Sequence, residues 1–289
     1  WINSMKSHRY EFEKEFKYFA PYHHRHKVWD DLITCFAISL HNAVAKDEDL
    51  EKKYLNIIGN YQRSEQLEMP KLVGMLVCAF EESGHCDLLG EMYMGMEISS
   101  KNLGQFFTPY SLSKLCAKLT LDRTAIETQK YVTTHEPACG SGGMIIAQAD
   151  VMFEEKYNPQ KQLLAYCVDV DQTAAMMCYI QLALWGIPAV VTIGNTLTMQ
   201  FSRTMLTPMY HLGGWAFKEM AGNQLTVPAI GIVNHAKTII KHGSPLDTEE
   251  VREQLIKQLD SGFEHNVHRI IDKVSRITIN DDTYDLLRA

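Results

Sequence analysis

The sequence predicts an α/β protein in which a parallel sheet lies between two helical segments. Before about residue 100 and after residue 222, apolar residues recur at three- and four-residue steps, which is typical of helices. Between these segments, short β-prone runs alternate with helical stretches, the pattern of a βαβ sheet with right-handed crossovers. We therefore expect a helical domain over 1–100, a sheet domain over 101–221 and a helical segment over 222–289.

The composition excludes several classes of protein. With 289 residues, 46% apolar and 22% charged, the chain is neither disordered nor a fibrous repeat. Its seven cysteines form no C-x-x-C pair, which predicts a reduced, cytoplasmic protein. No apolar run approaches the roughly 18 residues of a membrane span, so no membrane partner is expected. The clustered His23, His24 and His26 lack other ligands at suitable spacing, so no metal site is predicted.

The charge balance bears on possible partners. Lys and Arg number 28 against 35 Asp and Glu, giving a net charge of −7. A nonspecific nucleic-acid binder would normally carry a basic excess. If DNA is a partner, a local basic patch or another subunit must supply the attraction.

The first hundred residues are expected to form amphipathic helices around a shared core. An apolar stripe runs from Trp29 to Ala43, and 50–61 and 70–80 show similar spacing. Pro70 is expected in the first turn of its helix, where the missing N–H costs nothing.

The middle of the chain predicts three strands and two helices. The strands are expected at 130–135, 163–170 and 189–193, and the helices at 144–153 and 172–185. Parallel strands bring their carboxyl ends to one edge of the sheet, where ligands bind in α/β folds.

A glycine-rich turn, Glu136 to Gly143, follows the first of these strands. Its glycines would let the backbone approach a ligand closely, and the next helix would offer free amide groups. The dinucleotide pattern would need glycine where Ile145 stands, and the phosphate-loop pattern is absent, so neither NAD nor ATP is favoured. Glu136 at the strand end suits a cationic or hydroxyl-bearing ligand.

Polar residues also end the other two strands. Asp169 is placed to accept hydrogen bonds from ribose hydroxyls, although a strand-end Asp is as often a cap. Asp171 is expected to cap the next helix. Asn195, in Gly194-Asn195-Thr196-Leu197, could meet an adenine edge.

Taken together, these stretches resemble the adenine-N6 DNA methyltransferases, above all the modification subunits of type I restriction systems. The likeness covers about residues 25–200 and implies a Rossmann-like S-adenosylmethionine-dependent methyltransferase fold with a helical N-terminal domain and a helical C-terminal tail. The stretches that carry it, in order, are Asp87 to Tyr93, Gly104 to Pro109, Glu136 to Gly143, Val168 to Asp171 and Gly194 to Leu197.

The resemblance implies S-adenosylmethionine as cofactor and DNA as partner, reached through a specificity or other partner subunit, with an oligomer possible. Residues expected to close over the methionine end are Gln105, Phe106, Phe107, Thr108 and Pro109, with simple core packing as the alternative for the two rings. Those expected near the amino-acid and sulfonium groups are Glu136, Ala138, Gly140, Ser141, Gly142 and Gly143, while Asp169 would hold the ribose and Asn195 the adenine. Cys139 is expected to pack rather than react.

One motif of the family is missing. Members that methylate carry Asn or Asp, Pro, Pro, then Phe or Tyr, because a flipped adenine needs acceptors for its amine and an aromatic face. The nearest candidate is Thr207-Pro208-Met209-Tyr210, in which Thr207, Pro208 and Tyr210 would be catalytic. The alternative is an ordinary proline turn, and 203–206 is a poor candidate strand.

The absence of this motif leaves three hypotheses about function. The first is an adenine-N6 DNA methyltransferase with an altered amine site. The second is a catalytically inactive, methyltransferase-like module that acts through partners in restriction or defence. A small-molecule or protein methyltransferase is a weaker third reading, and 222–289 suggests no function.

Overall fold

The structure is a computed structural model that describes residues 7–96, 107–216 and 218. Chain contacts divide the protein into one compact unit, Trp1–Trp215, and a second, Ala216–Ala289. The helices of the first unit are α1 His8–Tyr18, α2 Arg25–Asn42, α3 Glu48–Ile58, α4 Arg63–Ser83, α5 Leu88–Gly95, α6 Tyr110–Thr120, α7 Arg123–Gln129, α8 Gly143–Glu154, α9 Pro159–Gln162, α10 Gln172–Leu184 and α11 Pro208–Leu212. The strands are β1 Val132–Glu136, β2 Leu163–Asp169, β3 Ala189–Asn195 and β4 Gln200–Leu206.

The four strands form one sheet in the order β1-β2-β3-β4. The first three are parallel and are joined by α8 and α10, as the alternation of patterns predicted. The fold is therefore α/β and Rossmann-like, and the carboxyl ends of β1, β2 and β3 meet at one edge of the sheet.

Side-chain caps explain where most helices begin. A side-chain oxygen of the preceding residue accepts a hydrogen bond from a first-turn amide, which satisfies a group that the helix itself leaves unpaired. These capping residues are Ser7 for α1, Asp47 for α3, Asp87 for α5, Asp122 for α7, Asn158 for α9 and Asp171 for α10. The capping role predicted for Asp171 is thereby confirmed.

The N-terminal helices pack directly on the helices of the sheet. Helix α2 contacts α10, and the Trp29 and Leu32 side chains of the predicted apolar stripe are fully buried. The Thr173 hydroxyl, near the start of α10, donates to a carboxylate oxygen of Asp30, and Lys53 Nζ donates to Gln172 Oε1 at 3.0 Å. Buried side chains of the N-terminal helices and of the sheet thus belong to one core, and the domain boundary expected at residue 100 stays a prediction.

Two expectations are wrong. Pro70 lies inside α4, which begins seven residues earlier at Arg63, so its missing N–H does interrupt the helix. Residues 203–206, which were not expected to form a strand because of their polarity, belong to β4, which pairs antiparallel with β3.

The expected helices at 244–274 lie outside the described residues. In the part of the chain that the structure describes, no helix is long and apolar enough to cross a membrane.

Candidate functional site at the carboxyl edge of the sheet

Three polar residues end the three parallel strands at the same edge. Glu136 ends β1 and pairs with Cys167, so Asp169 extends two residues further along β2. Asp169 in turn pairs with Ile193, and Asn195 extends two residues further along β3. The sequence-predicted Glu136, Asp169 and Asn195 therefore form a staggered row along this edge.

The glycine-rich turn passes over the edge between β1 and α8. Gly140 and Gly142 have φ values of 53° and 95°, a region that side chains rarely adopt. The Gly142 amide donates to the Cys139 carbonyl at 2.8 Å, which closes the turn. Among the described residues, no hydrogen bond from the Ser141 or Gly143 amide to a protein acceptor is formed. These two N–H groups at the start of α8 can bind an anionic group such as a carboxylate.

The Asp169 carboxylate is the point where the turn meets β2. Its Oδ2 accepts from the Gly140 amide at 2.7 Å, and its Oδ1 accepts from the Asp171 amide at 2.9 Å. Each carboxylate oxygen can accept a second hydrogen bond, so Asp169 can still bind a hydroxyl.

Glu136 is a half-buried carboxylate with few partners. From the described residues, its Oε1 accepts only a long, 3.4 Å hydrogen bond, donated by the Ala138 amide. Burial raises the pKa of Glu136 above its ordinary value. Burial thus disfavours the charged form of this carboxyl group. A cationic ligand beside it would favour the charged form again, so the position suits a sulfonium.

Asn195 already has a structural role through its side-chain oxygen. Its Oδ1 accepts from the amides of Leu197 and Thr198 at 2.9 and 3.1 Å, forming a local turn into β4. The Thr196 hydroxyl donates to the Pro137 carbonyl at 2.8 Å, so this turn reaches the end of β1. The Asn195 amide nitrogen is the group left to meet an adenine.

An aromatic ring covers the turn from the other side. A Cβ built on Gly140 would lie 2.9 Å from Cδ1 of Phe107, so the ring rests on that glycine. Thr108 and Pro109 are exposed, and Pro109 immediately precedes α6. Gln105 and Phe106 lie outside the described residues.

Three buried thiols lie beneath the turn. Cys139, Cys167 and Cys178 interact with one another, and all seven cysteines of the chain are free. Hydrogen bonding to the Cys167 thiol, with burial, raises the pKa of Cys139, so the thiol stays protonated. Cys139 therefore packs, as expected. The described residues contain no group of three or more side chains arranged to hold a metal ion.

The predicted catalytic tetrapeptide lies at the other end of the sheet. Because β4 runs antiparallel to β3, Thr207 meets Ala189 at the amino end of β3, about 20 Å from Asn195 along the strand. Its fully buried hydroxyl donates to the Ile187 carbonyl at 2.8 Å and accepts from the Ala189 amide at 2.9 Å. Pro208 and Tyr210 follow in α11, and the Tyr210 ring is buried. The tetrapeptide thus lies at the edge opposite Asp169, and the catalytic role of Thr207, Pro208 and Tyr210 stays a prediction.

Sequence reasoning missed two buried polar residues beside the turn, Asp87 and Gln181. The Ser141 hydroxyl donates to Asp87 Oδ2 at 2.6 Å, and Gln181 Nε2 donates to Asp87 Oδ1 at 2.7 Å. The spacing of Asp87 before an apolar run signals a helix cap, but nothing local to it indicates a contact with Ser141.

The chain was compared with known proteins and protein families. No curated protein matches the chain. Among solved structures, it is similar to one named as a class I S-adenosylmethionine-dependent methyltransferase from Listeria monocytogenes, with 15% identity and a TM-score of 0.31. That alignment covers 57% of this chain and 51% of the other, so this chain spans about half the length of the protein it matches. Residues 85–211 match the family model described as N-6 DNA methylase. The segment from α5 to α11, which builds the carboxyl edge described above, is therefore similar to the N-6 DNA methylases, a match that implies S-adenosylmethionine as the cofactor.

Proposed function

We propose that this chain is an S-adenosylmethionine-binding module of the adenine-N6 DNA methyltransferase type, similar to the modification subunits of type I restriction systems. The observation that carries the proposal is the row of Glu136, the Gly140 turn and Asp169 along one sheet edge. A ligand with a sulfonium, a ribose and a carboxylate has a complementary group for each of these features.

Each part of the edge would hold a different part of the cofactor. Asp169 would accept from the ribose hydroxyls, and the Ser141 and Gly143 amides would donate to the methionine carboxylate. Glu136 would face the sulfonium, whose methyl group is what the cofactor supplies to a reaction. Phe107, resting on Gly140, would shield this end from water.

Calorimetric titration with S-adenosylmethionine tests the proposal. We expect the wild-type protein to bind and Asp169→Ala to lose at least tenfold in affinity, about 1.4 kcal/mol. Asp122→Ala is a matched control, because it also removes an aspartate that accepts a hydrogen bond from a backbone amide, at the start of α7 instead of at the turn. The absence of any heat at millimolar ligand would refute cofactor binding.

A second candidate is a module that binds the cofactor without transferring its methyl group when alone. Two observations favour it: none of the nine prolines is adjacent to another, and Thr207 lies at the edge opposite Asp169. With a net charge of −7, attraction to DNA would come from a partner subunit. Labelled methyl transfer to DNA by the purified chain alone would exclude this candidate.

A further inference from the structure

Asp87 is a buried carboxylate outside the set of residues assigned to the cofactor. It is only 4% exposed, and its Oδ1 accepts from the Gly90 amide at 3.1 Å at the start of α5. Across 7–96 and 107–216, no basic side chain forms an ion pair with it. A buried carboxylate is costly unless hydrogen bonds offset its lost hydration, so its neighbours must satisfy it.

Those neighbours come from three separate segments. The Ser141 hydroxyl donates to Asp87 Oδ2 at 2.6 Å. Gln181, in the last turn of α10 and fully buried, donates from Nε2 to Asp87 Oδ1 and to the Ser141 carbonyl, both at 2.7 Å. Gln181 Oε1 accepts from the Leu89 amide at 3.1 Å. The network thus joins the start of α5, the glycine-rich turn and α10.

Glycines make room for this carboxylate. A Cβ on Gly90 would lie 2.3 Å from Asp87 Oδ2 and 2.5 Å from Ser141 Oγ. A Cβ on Gly143 would lie 3.0 Å from Asp87 Oδ2. A side chain at Gly143 would therefore press on the Asp87 carboxylate, which lies close to the start of α8 as well as of α5, where helix dipoles favour negative charge.

The opposite end of α5 supports the turn from the other side. The ring of Tyr93 lies 6.0 Å from that of Phe107, centroid to centroid, and Phe107 rests on Gly140. One short helix therefore holds the turn at Ser141 through Asp87 and at Gly140 through Tyr93 and Phe107.

We propose that Asp87 is a positioning residue for cofactor binding, fixing Ser141, Gly142 and Gly143 so that the amides at the start of α8 face the ligand. This inference rests on the proposed function. Asp169 fixes the turn at Gly140 and Asp87 fixes it at the next residue, so the turn is held before any ligand arrives. Without Asp87, the Ser141 hydroxyl and the Gln181 amide lose their shared acceptor and the turn can relax.

Two variants and one control test the proposal with two readouts. Asp87→Asn keeps the size of the side chain and removes its charge, and Ser141→Ala removes the contact with the turn but leaves the α5 cap. The first readout is hydrogen exchange of the amides in 139–146 without ligand, and the second is the affinity for S-adenosylmethionine. We expect both variants to exchange at least tenfold faster there and to bind at least tenfold more weakly, while Asp122→Ala matches the wild type in both.

The two readouts separate the possible failures. Unchanged exchange in 139–146 in the variants overturns the positioning role, whether or not the protein binds the cofactor. Faster exchange with unchanged affinity also overturns it, because the network would then be merely structural. If the wild type binds no S-adenosylmethionine, the proposed function fails, and the cofactor-positioning role fails with it. Should Asp87→Asn fail to fold, Ser141→Ala decides the matter.

Discussion

Replacing Thr207 by valine separates a structural role from the catalytic role predicted from the sequence. Valine has nearly the shape of threonine but cannot hydrogen-bond. In the wild type, the hydroxyl binds the Ile187 carbonyl and the Ala189 amide at 2.8 and 2.9 Å, in a fully buried position. Thr207→Val therefore leaves one buried acceptor and one buried donor unpaired.

Each unsatisfied buried group costs about 1–3 kcal/mol, so we expect Thr207→Val, which leaves two such groups, to lower the free energy of unfolding by about 2–6 kcal/mol. For a unit of this size, that lowers Tm by at least about 4 °C. Thr207→Ser keeps the hydroxyl and loses one methyl group, and it should cost no more than about 1.5 kcal/mol. The affinity for S-adenosylmethionine should stay within twofold of the wild type, because Thr207 lies about 20 Å from Asn195.

Urea unfolding followed by circular dichroism gives the free energies, and titration at a temperature where all three proteins are folded gives the affinities. A Thr207→Val protein as stable as the wild type would refute the account of the hydrogen bonds. Weaker cofactor binding by that folded variant would refute the placement of the site.

Three further predictions concern the turn, the helical part and the pH dependence of folding. Gly142→Ala places a Cβ 3.0 Å from Cys178 Sγ at a φ of 95°, so we expect a loss of about 1–3 kcal/mol in urea unfolding and weaker cofactor binding; unchanged values would show that the turn adapts. Pro70→Ala restores a hydrogen bond inside α4 and should raise stability by about 1–3 kcal/mol, and a lower Tm would contradict this. Burial lowers the pKa of His41 from 6.5 to about 4, so the folded state resists protonation and the free energy of unfolding should fall as the pH drops from about 6.5 towards 4. His41→Gln should flatten that dependence in unfolding measured across this range, and an unchanged slope would exclude His41 as its source.

The parallel core of the sheet could be predicted because its signals are local. The strands β2 and β3 contain runs of buried apolar residues, such as Leu163 to Ala165, and each is bounded by helix signals. Such runs are typical of parallel strands covered by helices. The glycine-rich turn could also be predicted from the sequence, because glycine adopts the positive φ values of such a turn more readily than any other residue.

The strand β4 escaped prediction because it lies at the edge of the sheet. Its first residues, Gln200 to Ser202, are exposed, and only Met205 and Leu206 at its end are buried. A strand with so little buried surface does not alternate clearly, so neither its existence nor its direction could be derived. That direction decides where Thr207 lies.

The Asp87 network escaped prediction for a different reason. Its partners Ser141 and Gln181 are 54 and 94 residues away in the sequence, and they meet only when α5 and α10 pack beside the turn. A composition or spacing argument reports the cap at Asp87 but not the tertiary contact that gives the carboxylate its second role.

Hydrogen exchange of the wild-type chain with and without S-adenosylmethionine tests most directly which edge of the sheet holds the cofactor. We predict slower exchange on binding in 138–146, 169–173 and 194–198, at the carboxyl ends of β1, β2 and β3. Protection confined to 204–212, at the opposite edge, would contradict the account.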